Sequence, residues 1–539
     1  MKKFKKSIFF IIDALRYDIL DNSKLYPTLH KLAKNGIFKK ITANACSTQF
    51  VLPSLFSLTY PLDNGGYNYG IRYRKSSYIE SIKKKYNRKT ILISSCNAMG
   101  IGTSFDRGFD EIFTTFDFRL LIEQKINRTL LYEIDLFDKK KITKKQLINI
   151  IMKEFLITLE QLEIYYKKYD KSLWPKKLYN HNRNIYENSI KEKKILLENP
   201  EAIIKKIKSI PAGVYWLTLG KIKYKDINYY ILRAKSAIIW RYKNLVEKQR
   251  IWPFLLLDHY QVLFNELLAN LCEKISDIKK SNWHIHMHIM DLHDARSASR
   301  FLHVCMRYRF FFSWLIQRLQ GKTRHRFVYS SSLMYIDRCL KKLLLHIEKE
   351  GILDDTLILI TADHGSDYAE SPRKKLHISG RNHYENIDIP MIVHPNITKT
   401  IKRNICDSMG MTASFLDLLD VPLDKSYKGQ SIFDKGKDFV ISESAGKGNA
   451  DLNRKNLFFT VTTLDHKLMV MLEDKTITMN KFYDLKNDPY ELNNLFENKK
   501  NISNKILKKL LKKLYSERKN IFKMRGIKNL NVYFNQIKI

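Results

Sequence analysis

The chain has 539 residues, and its 95 Lys and Arg against 55 Asp and Glu leave a net charge of +40. Hydrophobic residues make up 44% and aromatic residues 12% of the sequence, which excludes a disordered or collagen-like chain. Six widely spaced cysteines without a C-x-x-C pair argue against a disulfide framework and against a cysteine-type zinc site.

Three apolar segments are predicted as strands, Ser7–Asp13, Thr90–Ser94 and Leu357–Thr361, and the alternating segment Trp283–Met290 is also strand-like. Continuous apolar runs of this length are typical of parallel strands that are buried on both faces. Leu29–Gly36 predicts a short helix with a glycine C-cap, and apolar residues at helical spacing from 333 to 347 predict a longer helix that ends at Gly351. This alternation predicts an α/β fold with a doubly wound, mostly parallel sheet.

The predicted domain organisation has five parts. Residues 1–114 and 281–432 form the two parts of the α/β core. Between them, residues 115–280 are rich in Lys and Tyr, contain very little glycine, and predict a mostly helical insertion. Short strand-like runs indicate a small C-terminal α+β subdomain at 433–500, and residues 501–539 predict a basic helical tail.

Targeting and membrane segments are not evident in the sequence. No apolar stretch reaches membrane-spanning length, and the N-terminal apolar run stops at Asp13 without a small-residue cleavage site. We therefore expect a cytoplasmic protein, with a peripheral position at the inner membrane face as the alternative.

The lysines are spread along the whole chain rather than gathered into one stripe. This distribution favours a solvated basic surface and no specific nucleic-acid partner. The alternative is attraction to an anionic partner, such as a membrane surface, a polyanion or a phosphorylated substrate. Nothing in the sequence indicates an oligomeric state.

Two acidic motifs follow predicted buried strands: Asp13, and Asp363-His364-Gly365. In open α/β sheets, ligands bind beyond the carboxyl ends of the strands, so these residues are candidate metal ligands. The alternative for each motif alone is structural, with Asp13 capping the next helix and His364 as an ordinary turn residue.

A third motif, Cys46–Ser57, places hydroxyl groups just before an apolar helix. A hydroxyl at a helix N-terminus lies near unpaired N–H groups and the positive end of the dipole, where an anion is stabilised. Contact with a divalent cation would lower the pKa of that hydroxyl and make it a usable nucleophile. An ordinary N-cap is the alternative. Because Pro53 lies in this segment, we expect the helix to bend or to begin late.

These motifs and several further blocks resemble the sulfatase-like branch of the alkaline phosphatase superfamily, and they follow one another in the order of that family. The matching blocks are IIDALRYDIL, TQFVLPSLFSLTYP, RGFDEIF, HIMDLHDA, YIDRCLKKLLLHIEKEGILDDTLILITADHGSD, NIDIPMIVH, MTASFLDLLDVPL, KGQSIF and FYDLKNDPYELNNL. They cover most of the chain, and the resemblance implies the fold of that superfamily and a metal-dependent hydrolase or transferase.

The resemblance also implies roles for particular residues. Asp13, Thr48, Asp363 and His364 correspond to metal ligands, and Thr48 also falls on the nucleophile. The expected cofactor is a divalent metal ion. An imidazole ligand favours Zn²⁺ or Mn²⁺, with the harder Ca²⁺ and Mg²⁺ as alternatives.

Further catalytic candidates come from the same resemblance. His293 falls on a histidine that contacts the substrate or the leaving group. His377 and Arg381 resemble a later His…Gly-Lys element in which Arg replaces Lys, and His383 is a weaker candidate. The alternating histidines of the strand before His293 match no motif position, so we expect them to be structural.

The nucleophile position departs from the formylglycine sulfatases. Those enzymes need Cys or Ser at the start of a C-x-P-x-R motif, whereas this chain has Thr48, with Leu52 in place of the arginine. Threonine cannot yield formylglycine, and the resemblance is therefore to phosphoethanolamine and phosphoglycerol transferases, which form a phosphothreonine intermediate.

We therefore predict phosphoryl transfer through Thr48 on an anionic phosphoester, glycan or head-group substrate, with water or a sugar hydroxyl as acceptor. One alternative is a sulfuric ester hydrolase, a sulfatase by family. The other is an inactive homologue that binds anionic surfaces through its basic insertion.

Overall fold

The structure is a computed structural model. It describes residues 4–20, 24–99, 103–222, 227, 230–231, 234–235, 237–238, 241, 262–293, 308–320, 326–366, 382–445, 456–473, 475–496, 504–528 and 530.

The described residues form the following strands and helices. The strands are β1 (Lys6–Ile12), β2 (Ile37–Thr42), β3 (Lys89–Ser94), β4 (Glu111–Thr114), β5 (Trp283–Ile289), β6 (Thr356–Thr361), β7 (Asp388–His394), β8 (Val440–Ser444), β9 (Leu457–Thr462), β10 (His466–Glu473) and β11 (Thr476–Asp484). The helices are α1 (Pro27–Lys34), α2 (Thr48–Ser57), α3 (Tyr78–Tyr86), α4 (Phe118–Lys125), α5 (Leu131–Asp138), α6 (Lys144–Lys168), α7 (Lys176–Glu198), α8 (Pro200–Ser209), α9 (Ala212–Tyr215), α10 (Phe264–Ile278), α11 (Phe311–Leu319), α12 (Arg326–Lys349), α13 (Tyr384–Ile387), α14 (Ser408–Leu418) and α15 (Asn504–Met524).

The central sheet has seven strands in the order β2-β7-β6-β1-β5-β3-β4. Strands β1 and β6 pair in parallel, as do β3 and β4, whereas β7 runs antiparallel to both β2 and β6. A second sheet has four antiparallel strands in the order β11-β10-β9-β8. The predicted α/β fold with a mostly parallel central sheet is confirmed.

The chain forms two compact units. The first comprises Met1–Thr90, Ser276–Met287 and Leu340–Ile539, and it contains strands β1, β2, β6 and β7, the antiparallel sheet and α15. The second comprises Ile91–Ile275 and His288–Cys339, and its described residues include helices α4 to α9. The domain boundaries drawn from the sequence stay predictions.

Burial explains why the sequence patterns form these elements. Every residue of β6 is buried, and so is every residue of β1 after Lys6, which accounts for their continuous apolar runs. Helix α12 ends before Gly351, whose φ of +69° closes the helix as predicted.

The predicted glycine cap of α1 is wrong, because the cap is Asn35 and the following Gly36 keeps a negative φ. A Cβ atom on Gly36 would lie 2.0 Å from the carbonyl oxygen of Val393, so close approach to β7 is what requires the glycine.

Helix α2 begins at Thr48 even though Pro53 lies inside it. The described cysteines, at 46, 96, 272, 339 and 406, form no disulfide bond. In the described part of the chain, no helix combines the length and the apolarity that crossing a bilayer requires.

Candidate metal and nucleophile site

The two acidic motifs lie side by side at the carboxyl ends of neighbouring parallel strands. The register of β1 and β6 pairs Ile11 with Thr361, so Asp13 and Asp363 each lie two residues beyond the last paired position. Both aspartates are fully buried. The parallel register therefore brings together two carboxyl groups that are 350 positions apart in the sequence.

The turn after β1 holds these carboxyl groups in place. Ala14 has a φ of 67°, a left-handed conformation that is uncommon for alanine, and its N–H donates to Asp363 Oδ1 at 3.4 Å. Two residues later, the buried Arg16 donates from Nη1 to the carbonyl oxygen of Ser366 at 3.2 Å. The two strand ends are thus tied to each other by backbone and side-chain contacts.

His364 presents one ring nitrogen to the two carboxylates. A carbonyl oxygen can only accept, so the 2.6 Å contact with the Gly365 carbonyl places the proton on Nδ1. In a neutral ring the Nε2 atom then carries the lone pair, and this atom lies 3.7 Å from Asp13 Oδ1 and 3.5 Å from Asp363 Oδ2. A Cβ atom on Gly365 would lie 2.2 Å from the Glu385 carbonyl oxygen, so this turn needs glycine.

Thr48 completes the cluster. It is the first residue of α2, after the extended N-cap Ser47, and its Oγ1 lies 3.1 Å from Asp13 Oδ2 and 3.2 Å from His364 Nε2. Thr48 is half-buried, whereas the two aspartates have no exposed surface. The hydroxyl therefore lies at the accessible side of the cluster, at the positive end of a helix dipole.

The donor atoms of this cluster fit a divalent cation. One oxygen or nitrogen from each of Asp13, Asp363 and His364 lies within 4.8 Å of the others. Asp363 Oδ2 is buried, and within the described ranges it has no hydrogen-bond partner. Two carboxylates and an imidazole whose other nitrogen is hydrogen-bonded form a common ligand set for Zn²⁺ or Mn²⁺. The structure thus brings together all four predicted metal ligands, and their role stays a prediction.

The remaining catalytic candidates are His293, His377, Arg381 and His383. His293 is half-buried in the turn that follows β5. His377 and Arg381 lie outside the described residues. His383 is buried, and its Nδ1 lies 2.8 Å from Glu491 Oε2, which assigns it to a separate ion-pair cluster.

Glu491 lies at the centre of that cluster, and no role was predicted for it from the sequence. Besides His383, it pairs with the buried Lys467, and its Oε1 accepts the Tyr384 N–H at 3.0 Å. The segment that begins at His383 in turn contacts the metal motif, because the Gly365 N–H donates to the Asn386 carbonyl at 2.8 Å. Only its place in the FYDLKNDPYELNNL block could have singled out Glu491.

The alternating histidines of β5 lie inside the fold, and their structural role stays a prediction. His284, His286 and His288 are fully buried. Ser7 Oγ lies 3.0 Å from His284 Nδ1, and the Tyr78 hydroxyl lies 2.5 Å from His286 Nδ1. Burial lowers the pKa of His284 well below its usual value, so its ring is neutral.

Comparisons with known proteins point to one superfamily. The sulfatase family model matches residues 215–421. An N-acetylglucosamine-6-O-sulfatase of Bacteroides thetaiotaomicron is 27% identical over 186 residues, which is 31% of each chain. A multifunctional alkaline phosphatase superfamily protein of Trinickia caryophylli is 22% identical over 196 residues, 33% of this chain and 37% of the relative. The matches thus span about a third of each curated relative.

Solved structures share the fold over nearly the whole chain. A 2-O GAG sulfatase superposes with a TM-score of 0.53 at 11% identity, covering 97% of this chain and 94% of the other. A protein of a Bacteroides thetaiotaomicron locus for glycosaminoglycan metabolism gives a TM-score of 0.51 at 13% identity, with coverages of 96% and 99%. In fold and in the family match over residues 215–421, the chain is therefore similar to the alkaline phosphatase/sulfatase superfamily.

Proposed function

We propose that this chain is a sulfatase-like, metal-dependent hydrolase that cleaves a sulfate or phosphate ester on an anionic glycan, with Thr48 as the nucleophile. The observation that carries the proposal is the position of Thr48 Oγ1, 3.1 Å from Asp13 Oδ2 and 3.2 Å from His364 Nε2. A hydroxyl between a carboxylate and an imidazole lone pair can lose its proton to either group.

The protein groups of the site suit attack on a tetrahedral oxyanion. The Thr48 proton passes to a neighbouring acceptor, Oγ1 bonds to the sulfur or phosphorus atom, and the bond to the bridging oxygen breaks, releasing an alcohol after protonation. Water then cleaves the Thr48 ester and restores the hydroxyl. The N-terminus of α2 places positive dipole charge where the equatorial oxygens lie. A divalent cation held by Asp13, Asp363 and His364 would supply charge neutralisation and a lower hydroxyl pKa.

The comparisons support a sulfate ester as the substrate. The family model that matches is that of sulfatases, and one relative bears the name N-acetylglucosamine-6-O-sulfatase. Both observations favour a sulfated, anionic sugar. The net charge of +40 is consistent with attraction to such a substrate.

One observation favours phosphoryl transfer as a second candidate. The side chain at the nucleophile position is threonine, which cannot be converted to formylglycine. A threonine alkoxide that attacks phosphorus would leave a covalent phosphothreonine, and either water or a sugar hydroxyl would then accept the phosphoryl group.

A substrate panel with matched variants tests both candidates. The full chain, loaded with Zn²⁺ or Mn²⁺, is assayed with 4-nitrophenyl sulfate, 4-nitrophenyl phosphate, bis(4-nitrophenyl) phosphate and N-acetylglucosamine 6-sulfate. Thr48→Ala should abolish turnover, Thr48→Ser should retain part of it, and Ser47→Ala is the neighbouring control. Mass spectrometry of protein quenched during turnover then shows whether the Thr48 peptide carries sulfate or phosphate.

The outcomes separate the candidates. Turnover of sulfate esters alone supports the hydrolase of sulfated glycans, and phosphate trapped on Thr48 supports phosphoryl transfer. Full activity of Thr48→Ala, or modification found only on Ser47, would overturn the assignment of the nucleophile.

A further inference from the structure

Residues 295–336 have an unusual charge pattern. This stretch of 42 positions contains eight Arg and Lys and no Asp or Glu, although the chain as a whole has 55 acidic residues among 539. Residues 227–246 repeat the pattern, with four basic residues, four aromatic residues and no acid. Both stretches belong to the second compact unit.

The acid-free stretch 295–336 contains a helix with an exposed apolar face. In α11, Phe312 is 76% exposed and Leu319 is 80% exposed, and Ile316 between them is also exposed. At 100° per residue these three side chains point within a narrow arc of the helix. Large apolar side chains exposed together on one face indicate a surface that a partner covers.

The acid-free stretch 227–246 shows the same combination. Its described residues are helical, and the side chains of Ile227, Tyr230, Ile231 and Ile238 are exposed. At 100° per residue, the sequence spacing of these four positions corresponds to an arc of about 100°. Basic residues lie among them, including the exposed Lys235 and Arg241.

We propose that the exposed apolar and basic side chains described in α11 and between residues 227 and 241 dock onto an anionic lipid bilayer. Interfacial helices combine an apolar face that contains Phe, Leu or Trp with Lys and Arg, and anionic lipid strengthens their binding. A second copy of the chain fits poorly, because it would bring the same positive charge to the contact. A soluble polyanion would account for the basic residues but would leave Phe312 and Leu319 uncovered.

Co-sedimentation of the full chain with lipid vesicles tests the proposal. We expect binding to vesicles of equimolar phosphatidylglycerol and phosphatidylcholine, and much weaker binding to phosphatidylcholine alone. Binding to the anionic vesicles should fall at least tenfold as salt rises from about 0.1 M to about 1 M, because the Debye length shrinks from about 10 Å to about 3 Å.

Matched variants separate the apolar contribution from the basic one. Phe312→Ser with Leu319→Ser should weaken vesicle binding by about tenfold or more, since each full burial of such a side chain is worth at least that factor. Leu345→Ser is the control, because Leu345 is 51% exposed on α12 outside both segments. Arg241→Gln with Arg309→Gln should also weaken binding, whereas the exposed pair Lys140→Gln with Lys141→Gln should not.

Several results would overturn the proposal. These are equal binding to neutral and anionic vesicles, no binding at low salt, and unchanged binding of the Phe312/Leu319 variant. Light scattering without lipid provides a further test, because self-association that the apolar substitutions abolish would assign this surface to a second copy of the chain. Hydrolase activity is not part of the readout, so the result is independent of the proposed function.

Discussion

Two buried acidic clusters of the first compact unit are built in opposite ways. In one, which we call the arginine cluster, the fully buried Arg518 forms ion pairs at 2.8 Å with Asp63 Oδ1 and with Glu443 Oε2. In the other, the candidate site, Asp363 has a buried oxygen without a hydrogen-bond partner among the described residues, and His364 Nε2 lies 3.5 Å from that oxygen.

The arginine cluster carries its own cations. Burial by itself raises the pKa of Asp63, but the positive charges of Arg518 and Lys428 outweigh burial and hold that pKa below its usual value. Burial also raises the pKa of Glu443, against the effect of Arg518. Such a cluster ties α15 to the rest of the unit, and it needs nothing from outside the protein.

The difference between the two clusters shows that the groups around a buried carboxylate indicate its role. Buried carboxylates need positive charge or hydrogen bonds, because desolvation of an uncompensated charge costs several kcal/mol. Where the protein supplies a guanidinium, as at Arg518, the acids serve the fold. Where it supplies an imidazole and a hydroxyl, as at His364 and Thr48, the acids are suited to a cation from solution.

The largest expected effect comes from removing the internal cation. Arg518→Met should lower the free energy of unfolding by about 3–5 kcal/mol, because Asp63 and Glu443 are left buried without compensation. Denaturant titration measures the change. Lys512→Met, an exposed position on the same helix, should stay within about 0.5 kcal/mol of the parent chain. If both variants are equally stable, the arginine cluster contributes little and the comparison fails.

A matched pair of substitutions then separates the two clusters by metal affinity. Asp363→Asn should weaken Zn²⁺ or Mn²⁺ binding by at least about a hundredfold. Loss of a residue that only hydrogen-bonds to a metal ligand costs up to about a hundredfold in metal affinity, and Asp363 is itself a predicted ligand. Its stability in chelator should be unchanged or higher, because an amide is cheaper to bury than a carboxylate.

Asp63→Asn is the control for that substitution in the arginine cluster. It should lower stability and leave metal affinity unchanged, because its partners are Arg518 and Lys428. Calorimetric titration with metal and denaturant titration in chelator measure the two quantities. Equal loss of metal affinity in both variants would show that the two clusters do not differ in the way described.

Glu491 shares a feature with each of the two clusters. It pairs with a buried lysine, as the acids of the arginine cluster pair with Arg518, and it also holds the segment that contacts Gly365 in the candidate site. Glu491→Gln should cost about 1–3 kcal/mol of stability, because Lys467 loses its counter-charge. Metal affinity should fall by about tenfold, through the displaced turn. The exposed Glu473→Gln is the control. A stability loss with unchanged metal affinity would limit Glu491 to a structural role.

The smallest expected effect concerns a buried histidine that has hydroxyl neighbours instead of carboxylates. Burial and, second, the charge of Arg88 hold the pKa of His284 below its usual value. Below pH about 6.5 the unfolded chain therefore binds more protons than the folded one, and stability falls as the pH decreases. The slope from this group is at most about 1.4 kcal/mol per pH unit. His284→Asn should flatten it in denaturant titrations from pH 7 downward, and an unchanged slope would contradict the assignment.

The elements that position the site follow from local sequence. Buried parallel strands appear as continuous apolar runs, so β1 and β6 and the aspartates after them are recognisable from the sequence alone. The register that sets Asp13 beside Asp363 is not local, because it depends on pairing between strands about 350 positions apart. The distances from Thr48 to Asp13 and His364 depend on the same packing.

Charged residues show the limit of sequence patterns most clearly. Arg518 lies in a Lys-rich amphipathic stretch and Glu491 in a polar turn, and both look solvated in the sequence. In the structure both are buried, with partners 455 and 108 positions away. Gly36 likewise matched a helix cap in sequence, whereas contact with Val393 is what requires it.

The sequence by itself determined the fold class, and it singled out Asp13, Thr48, Asp363 and His364, which the structure brings together. These depend on the local periodicity of side chains and on motif order. Only the tertiary structure decided which buried charges compensate one another and which leave a buried oxygen without a hydrogen-bond partner among the described residues. The physical reason is that the free energy of a buried charge depends on its nearest neighbours in space, and in this chain those neighbours come from distant segments.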